Sequence, residues 1–297
     1  MLEVIVPATS ANIGPGYDCL GIALNLYNKF YFEEIESGVI IEGKETEYMN
    51  EDNLVYKAME YFFEKVKYAK RPTGVKIKIV DEIPISRGLG SSATCIVAGL
   101  MGANYLSGAN LDKKEILKLA TDMEGHPDNV APAIFGNMIV SIMEGEDIYF
   151  DVVRIPNNLR FCAMIPDFEL STKKSRAVLP DTIDHKDGVF NVSRSAMLIT
   201  AFMNNNLDLL KVACKDKFHQ IYRSPLISDY DIIVNHSNEL NCLGTFLSGA
   251  GPTIMSLTTD EDTLFMDKMN EFLDKLNDNW IIKDLHCDYK GVVVNTL

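Results

Sequence analysis

The chain has 297 residues, of which 47% are hydrophobic and 24% are charged, a composition typical of globular proteins rather than of disordered or fibrous ones. Its 28 basic and 42 acidic side chains leave a net charge of -14. A field of that sign repels nucleic acid and anionic membrane surfaces, so neither is expected as a partner. A small phosphate ligand would have to be held locally, by backbone amides, a few cations and a metal ion.

The length predicts one large or two modest domains. The six cysteines lie far apart and form no CxxC pair, which indicates reduced thiols in a cytoplasmic protein.

The sequence begins Met-Leu-Glu-Val-Ile-Val, which predicts a strand rather than a signal peptide. Residues 88–111 carry no charge, but their apolar part, 93–106, has only 14 residues, which favours a buried core helix over a membrane span.

The first half of the chain predicts a mixture of strands and helices. Alternating or aromatic-rich patterns predict strands at residues 4–7, 26–36, 75–80 and 137–143. Helical spacing of apolar residues predicts helices at residues 52–68 and 130–135. Two more helices are predicted between them: one follows a glycine turn and ends near Gly108, and one begins at the capping box Asp112–Glu115. Gly125 and Pro127 end the helix that the capping box begins.

The pattern restarts after about residue 155. Strands are predicted at residues 161–165, 243–247, 253–257, 280–285 and 291–295, and helices at 189–203, 206–213 and 260–276. Because strands and helices mix without regular βαβ alternation, the fold class is predicted as α+β, with two packed domains. We place the first domain at residues 1–155 and the second at residues 156–297.

The strongest local signal is a glycine-rich segment ahead of the uncharged helix. It reads Pro84-Ile85-Ser86-Arg87-Gly88-Leu89-Gly90-Ser91-Ser92-Ala93-Thr94. The glycines permit a tight turn, and Ser91 or Ser92 can cap a helix whose N-terminus suits a di- or triphosphate. Three interpretations compete: a plain capped helix, a dinucleotide fingerprint and a nucleotide-triphosphate site. The fingerprint lacks a parallel βαβ series, and no Walker A sequence occurs.

A second signal is the polar segment Glu124-Gly125-His126-Pro127-Asp128-Asn129 at the end of a predicted helix. It is either an exposed polar turn or a ligand site, because polar groups that are buried need partners. No HExxH or other zinc-ligand spacing is present. A hard-ion site that uses Glu124 with a serine hydroxyl is therefore favoured over a zinc site.

Three weaker signals accompany these two. Residues 9–18 place Asn12 and Asp18 among glycines after the first strand, a pattern that ordinary turns share. Residues 247–253, which include Gly249, form a second loop that permits close backbone approach. Arg176 and Arg223 stand out in an arginine-poor chain; their guanidinium groups suit carboxylates, although surface ion pairs explain them equally well.

Taken together, these segments resemble the GHMP kinases, which include galactokinase, homoserine kinase and mevalonate kinase. Residues 12–21, 84–94 and 246–253 resemble the family's three motifs, in the family's order. Residues 124–132 and 168–180 resemble the homoserine kinases in particular. The resemblance implies an N-terminal domain like the second domain of ribosomal protein S5 and a ferredoxin-like C-terminal domain. ATP and L-homoserine would meet between them and give ADP and O-phospho-L-homoserine, on the route to threonine.

The resemblance also implies roles for the matching residues. The 84–94 segment would bind ATP, with the backbone of 88–93 around the phosphates, Asn53 near the adenine, and Ser92 and Glu124 on Mg²⁺. The residues implied around L-homoserine are Asn12, Asp18, His126, Asp128, Thr172, Arg176, Arg223 and Gly249. An amino-acid zwitterion needs an acid for its ammonium and cations for its carboxylate, and Asp18, Arg176 and Arg223 supply them.

The resemblance implies catalysis without a strong side-chain base. Mevalonate kinases carry an aspartate where this chain has Asn129. We expect Asn129 to orient the acceptor hydroxyl, with Glu124 and Asp128 as the other catalytic residues. Phosphoryl transfer depends mainly on positioning and charge neutralisation. Members of the family are often dimers, so a homodimer is among the expectations.

Two other functions compete with this one. A GHMP kinase for another small alcohol, such as mevalonate or a sugar, would share the fold and the ATP segment. A binding or sensor protein would keep the fold without catalysis, but it would have no need to retain Glu124.

Overall fold

The computed structural model describes residues 1–44 and 48–297. In that part of the chain the strands are β1 Leu2–Ala11, β2 Leu20–Glu34, β3 Gly38–Glu42, β4 Gly74–Val80, β5 Met138–Glu144, β6 Asp147–Val153, β7 Leu159–Pro166, β8 Gly244–Leu247, β9 Ile254–Thr259, β10 Trp280–Leu285 and β11 Val293–Thr296. The α-helices are α1 Leu54–Lys65, α2 Ser91–Ser107, α3 Lys113–Glu124, α4 Pro127–Phe135, α5 Thr172–Arg176, α6 His185–Met203, α7 Leu210–Ala213, α8 Gln220–Arg223, α9 Tyr230–Glu239 and α10 Phe265–Leu273. The α+β prediction is confirmed.

Two antiparallel-rich sheets organise these elements. The first has the order β11-β1-β2-β4-β3, with β5 joined to β2 and β6 joined to β5. Within the described residues only β3 and β4 pair in parallel, so the parallel series that a dinucleotide fold requires is not found there. The second sheet has the order β10-β7-β9-β8. With its helices it follows the β-α-β-β-α-β pattern of ferredoxin-like folds, as the resemblance implied.

The helix behind Asp112 shows how local sequence sets these boundaries. The Asp112 side chain accepts hydrogen bonds from the backbone N–H groups of Lys114 and Glu115, and Glu115 in turn accepts from the backbone of Asp112. This reciprocal pair satisfies N–H groups that otherwise have no partner inside the helix. Gly125 ends the helix at φ +90°, a left-handed conformation that glycine adopts without strain. The predicted capping box is confirmed.

The uncharged segment forms a core helix, as predicted. α2 packs against α1, and most of its residues between Ala93 and Asn104 are buried. In the described part of the chain, no helix combines the length and the apolar content that crossing a bilayer requires.

The sequence predicted most elements but missed several short ones. β3, β6, α5, α8 and α9 were not predicted, and the helix expected at 260–276 is confined to Phe265–Leu273. The predicted helix at 206–213 is a 3₁₀ turn followed by the four residues of α7. α5 and α8 have only five and four residues, which is too short to leave a periodic apolar pattern.

The two sheets share a hydrophobic core. It joins apolar residues of the first sheet, such as Leu20 and Ile22, to Phe161, Phe246 and Leu257 of the second. In addition, β11 pairs with β1, so the last strand of the proposed second domain lies in the first sheet. The boundary at residues 155/156 stays a prediction, and the contact between the domains is a packed core rather than a hinge.

Candidate active site

A cavity of about 300 Å³ lies between the two halves of the molecule. Most residues that the sequence singled out line it: Asn12, Asp18, Asn53, Ile85, Ser86, Arg87, Gly88, Gly90, Ser91, Ser92, Glu124, His126, Asp128, Asn129, Thr172, Arg176, Arg223 and Gly249. The volume is within the range of small-molecule sites. Four residues of the predicted ATP segment do not line it: Pro84, Leu89, Ala93 and Thr94. Leu89 and Ala93 lie in the hydrophobic cores, and Thr94 bonds the Ser91 carbonyl from a buried position.

The glycine loop, residues 84–90, turns into α2 through left-handed backbone. Gly88 has φ +77° and Gly90 has φ +71°, values that favour glycine. A Cβ at Gly88 would lie 2.4 Å from the backbone oxygen of Ser248 and 2.8 Å from that of Gly251. A Cβ at Gly90 would lie 1.9 Å from Thr9 Oγ1. The loop can therefore approach its neighbours only because both positions lack a side chain.

Hydrogen bonds join this loop to the second glycine loop, residues 247–253. The Ser248 hydroxyl donates to the Gly88 carbonyl at 2.6 Å and bonds the Ser10 hydroxyl at 2.7 Å. Asn12 Nδ2 donates to the Gly249 carbonyl at 2.8 Å. Because Ser10 and Asn12 lie at the end of β1, these bonds tie the three motif segments into one frame around the cavity.

The start of α2 differs from the sequence prediction. Ser91 or Ser92 was expected to cap the helix, but the N-cap residue is Gly90, and no side chain among the described residues caps the first turn. The left-handed turn at Gly90 places both serines inside the helix. The Ser92 hydroxyl instead donates to Glu124 Oε2 at 3.1 Å. Since no side chain caps them, the first-turn N–H groups of α2 are suited to an anionic ligand.

The guanidinium of Arg87 donates hydrogen bonds to backbone carbonyls of the protein. Its Nε donates to the Pro166 carbonyl at 3.0 Å, its Nη1 to the Ile85 carbonyl at 2.9 Å, and its Nη2 to the Asp167 carbonyl. Pro166 is the last residue of β7. The guanidinium of Arg87 therefore ties the glycine loop to the second sheet, a role that the sequence did not predict.

Glu124 and Ser92 form a group suited to a hard cation. Burial raises the pKa of the Glu124 carboxyl, because burial disfavours the charged form. A carboxylate beside a hydroxyl at a helix N-terminus is an oxygen donor set of the kind that Mg²⁺ prefers. A second group, Asp18, His126 and Asp128, has ligand atoms within 4.8 Å of one another, but Asp18 is paired with Arg176 and Asp128 is hydrogen-bonded to His126.

Asp128, His126 and Asn129 form a hydrogen-bonded group at the start of α4. Asp128 is 2% exposed, and its Oδ1 bonds His126 Nδ1. Burial lowers the pKa of His126, but the hydrogen bond and charge of Asp128 outweigh it and raise that pKa overall. Thr9 Oγ1 donates to Asn129 Oδ1 at 2.8 Å, which orients the amide. Sequence reasoning missed this role of Thr9, although the residue lies in the 9–18 segment that also contains Asn12 and Asp18.

Asp18 and Arg176 pair directly across the cavity. Arg176 Nη2 donates to Asp18 Oδ1 at 2.7 Å and Nη1 to Oδ2 at 3.2 Å, a two-point contact that fixes both planar groups. Arg176 Nη1 also donates to the Tyr17 hydroxyl at 2.9 Å. Each side chain is about one-third exposed, so the pair faces the cavity and offers an anion and a cation side by side.

Arg223 is the buried cation of the site. It is 1% exposed, and burial lowers the pKa of its guanidinium. Its Nη1 donates to the Gly249 carbonyl at 3.1 Å and its Nε to the Ser175 carbonyl at 3.3 Å. The sequence left open whether Arg223 forms a surface ion pair; the structure places it inside, lining the cavity.

Asn53 also lines the cavity, as the N-cap of α1. Its Oδ1 accepts from the Val55 N–H and its Nδ2 donates to the Tyr48 carbonyl, so both halves of the amide are already used. The sequence missed a further set of residues that line the cavity: Asn28, Tyr48, Met49, Leu54, Ile79, Asp81 and Cys95. Only the position of these residues in or next to predicted helices and strands could have indicated that they line the cavity.

Comparisons with known proteins agree with this geometry. Residues 53–137 match the family model of the GHMP kinases N terminal domain and residues 198–275 that of the GHMP kinases C terminal. A homoserine kinase of Clostridium botulinum is 52% identical over 295 residues, which cover 99% of each chain. The crystal structure of homoserine kinase from Cytophaga hutchinsonii superposes with a TM-score of 0.86 at 26% identity, covering 99% and 97% of the chains. An L. major mevalonate kinase shares the fold alone, with a TM-score of 0.74 at 14% identity and 96% and 95% coverage.

The approach of the two glycine loops predicts the effect of Gly88→Ala. The new Cβ would meet the backbone oxygens of Ser248 and Gly251, so the variant should lose about 3 kcal/mol of unfolding free energy from left-handed strain and overpacking. It should also bind a non-hydrolysable ATP analogue weakly. Denaturant unfolding and calorimetric titration measure both effects.

Gly108→Ala is the matched control. Gly108 has φ +65°, but among the described residues no atom lies within 4 Å of the place that a Cβ would take, so only left-handed strain applies, about 1 kcal/mol. Nucleotide binding should be unchanged in this variant. Equal losses of stability and binding in the two variants would contradict the importance of the loop contact.

Proposed function

The chain belongs to the GHMP kinase family, and from that premise we propose that it transfers the γ-phosphoryl group of ATP to the hydroxyl of L-homoserine. The products are ADP and O-phospho-L-homoserine, the intermediate on the route to threonine that the resemblance implied. Full-length relatedness to the C. botulinum homoserine kinase supports this substrate. The family uses ATP as the phosphoryl donor, and the chain is a phosphotransferase.

One observation carries the choice of an amino-acid acceptor. Asp18, Arg176 and Arg223 line the same cavity, where an acid stands beside two cations. A zwitterionic amino acid presents an ammonium and a carboxylate a few ångströms apart, and these groups match the two signs of charge. Mevalonate has no ammonium and a neutral sugar has neither group, so the pairing favours an amino acid over both.

The donor site lies at the start of α2. The first-turn N–H groups and the glycine loop surround the place proposed for the ATP phosphates, which accounts for anion binding by a chain of charge -14. The adenine is placed near Asn53, whose own amide is used for capping. The recognition of the base therefore rests on the surrounding apolar residues and backbone rather than on the Asn53 amide.

Ser92 and Glu124 are proposed to hold Mg²⁺. Their oxygens lie together at 3.1 Å, at the helix end where the phosphates are placed. When bound, Mg²⁺ neutralises the charge that develops on the phosphates during transfer.

Catalysis is proposed to rest on orientation of the acceptor rather than on a strong base. Asn129 lines the cavity with its amide oriented by Thr9, and it is proposed to hold the homoserine hydroxyl in line with the γ-phosphate. Asp128 is bonded to His126, so it orients that imidazole and adds to the group around the acceptor. The hydroxyl proton passes to a γ-phosphate oxygen, which a loose transition state permits.

The location and assembly follow from weaker signals. A cytoplasmic location is proposed because all six cysteines are free thiols in the structure, as expected in a reducing compartment. The homodimer stays a prediction of the resemblance.

The substrate is tested by a coupled assay of ADP release with Mg·ATP. We expect turnover with L-homoserine and background rates with mevalonate, galactose and L-serine. Release with mevalonate or galactose alone would keep the phosphate site but reject the amino-acid acceptor. Release with L-serine alone would keep an amino-acid acceptor but reject L-homoserine. Binding of Mg·ATP without turnover on any of the four would favour the sensor function.

The metal site is tested with Glu124→Gln. Loss of the carboxylate charge should raise the Mg²⁺ concentration for half-maximal activity about tenfold or more, since a cation prefers the anionic oxygen. Glu144→Gln, at an exposed position, is the control and should behave like the unmodified chain. An unchanged Mg²⁺ titration in Glu124→Gln would remove that residue from the metal site.

The orienting role is tested with Asn129→Ala. Loss of the amide should lower kcat about 10- to 100-fold with a smaller change in the KM for L-homoserine, because misplacement of a reacting group costs rate. Thr9→Val should lower kcat in the same direction, and Thr9→Ser, which keeps the hydroxyl, should restore it. An unchanged kcat in Asn129→Ala would show that the acceptor is oriented by other groups.

A further inference from the structure

His219 lies beneath the site, in a place that the mechanism above does not use. It directly precedes α8, is 0% exposed and packs against the Tyr17 ring with centroids 5.3 Å apart. Arg223 follows one helical turn later and is itself 1% exposed. A fully buried histidine beside a buried cation is costly unless its two ring nitrogens have suitable partners.

The partners of the two nitrogens determine which one carries the proton. Nε2 lies 2.8 Å from the Gly14 carbonyl; a carbonyl only accepts, so Nε2 must donate. Nδ1 lies 3.3 Å from Nη1 of Arg223; a guanidinium only donates, so Nδ1 must accept. Both contacts are satisfied by one species, the neutral imidazole with its proton on Nε2.

The surroundings favour that neutral species. Burial lowers the pKa of His219, and a protonated ring would point an N–H at the Arg223 guanidinium. Asp216 is 3.8 Å away, but its two oxygens accept from the N–H groups of Phe218, His219 and Gln220 and from Asn191. Asp216 therefore caps α8 rather than drawing a proton onto the ring.

The donors of Arg223 show what this contact achieves. Nε donates to the Ser175 carbonyl, and Nη1 serves both the Gly249 carbonyl and His219 Nδ1. Nη2 has no acceptor among the described residues, and Arg223 lines the cavity beside Asp18 and Arg176. Three acceptors thus fix the rotation of the guanidinium and leave the two Nη2 donors for a ligand.

We propose that His219 is a positioning residue, a neutral hydrogen-bond acceptor that orients Arg223 so that Nη2 meets the carboxylate of the amino-acid substrate. This inference rests on the proposed function for the identity of that substrate. The same imidazole holds the Gly14 carbonyl, so it couples the loop that carries Asp18 to the arginine. This coupling fixes the position of Asp18, on the ammonium side of the substrate site, relative to Arg223 on the carboxylate side.

Two substitutions separate the two contacts. In His219→Asn the side-chain oxygen can take the place of Nδ1 and keep the acceptor for Arg223. In His219→Gln the amide can take the place of Nε2 and keep the bond to Gly14, but the acceptor is lost. We expect His219→Gln to raise the KM for L-homoserine about tenfold or more, the scale of one hydrogen bond to a charged group. His219→Asn loses the bond to Gly14 but keeps the acceptor, so it should raise this KM clearly less than His219→Gln does.

The KM for ATP should change little in both variants. A purely structural role would instead lower the folded fraction or affect both substrates, and His219→Asn would then be as impaired as His219→Gln. Arg223→Lys provides a double-mutant cycle: because His219 acts through Arg223, adding His219→Gln to Arg223→Lys should cause no further rise in the KM for L-homoserine. Independent, additive effects would overturn the inference.

The tautomer is tested in the unmodified protein, independently of the variants. Long-range ¹H–¹⁵N spectra of histidine-labelled protein should show His219 protonated at Nε2 and unprotonated at Nδ1. A protonated ring or the Nδ1–H tautomer would overturn the proposal even if both variants failed to fold. Failure of the proposed function is recognised separately, as absence of turnover on L-homoserine by the unmodified enzyme.

Discussion

The site depends on the close approach of two glycine loops from different halves of the chain. The backbone at Gly88 lies so near the carbonyls of Ser248 and Gly251 that no side chain fits between them, and the Ser248 hydroxyl closes the contact at 2.6 Å. This contact fixes the start of α2 against the second sheet. The free N–H groups of that helix therefore face a cavity whose other wall belongs to the second half of the chain.

The site contains positively charged side chains although the chain as a whole has a net charge of -14. Each cation is held by a specific partner: Arg176 by Asp18, and Arg223 by the carbonyls of Ser175 and Gly249. The first pair is neutral as a whole and exposes both signs, which suits a zwitterion. The second arginine has no carboxylate partner within hydrogen-bond distance among the described residues, so it adds the net positive charge that a substrate carboxylate requires.

Short sequence patterns predicted the structural features that depend on neighbouring residues. Features that depend on contacts between distant segments could not be predicted in this way. The capping box at Asp112, the core helix α2 and the motif segments follow from short-range sequence patterns. The expected cap by Ser91 or Ser92 was wrong because the left-handed turn at Gly90 moves both serines into the helix. The roles of Arg87 and His219 could not be assigned from sequence, since their partners, at Pro166 and Gly14, lie 79 and 205 positions away.

The proposed amino-acid site depends on the packing of the two halves. Asp18 comes from the loop after β1, whereas Arg176 and Arg223 come from short helices of the second half, α5 and α8. Helices of five and four residues are not stable alone, so their side chains are placed by the frame around them. That frame is the shared core, the two glycine loops and the His219–Gly14 contact. We therefore propose that substrate selection is a property of the interface between the halves, whereas phosphate binding resides mainly in the first half.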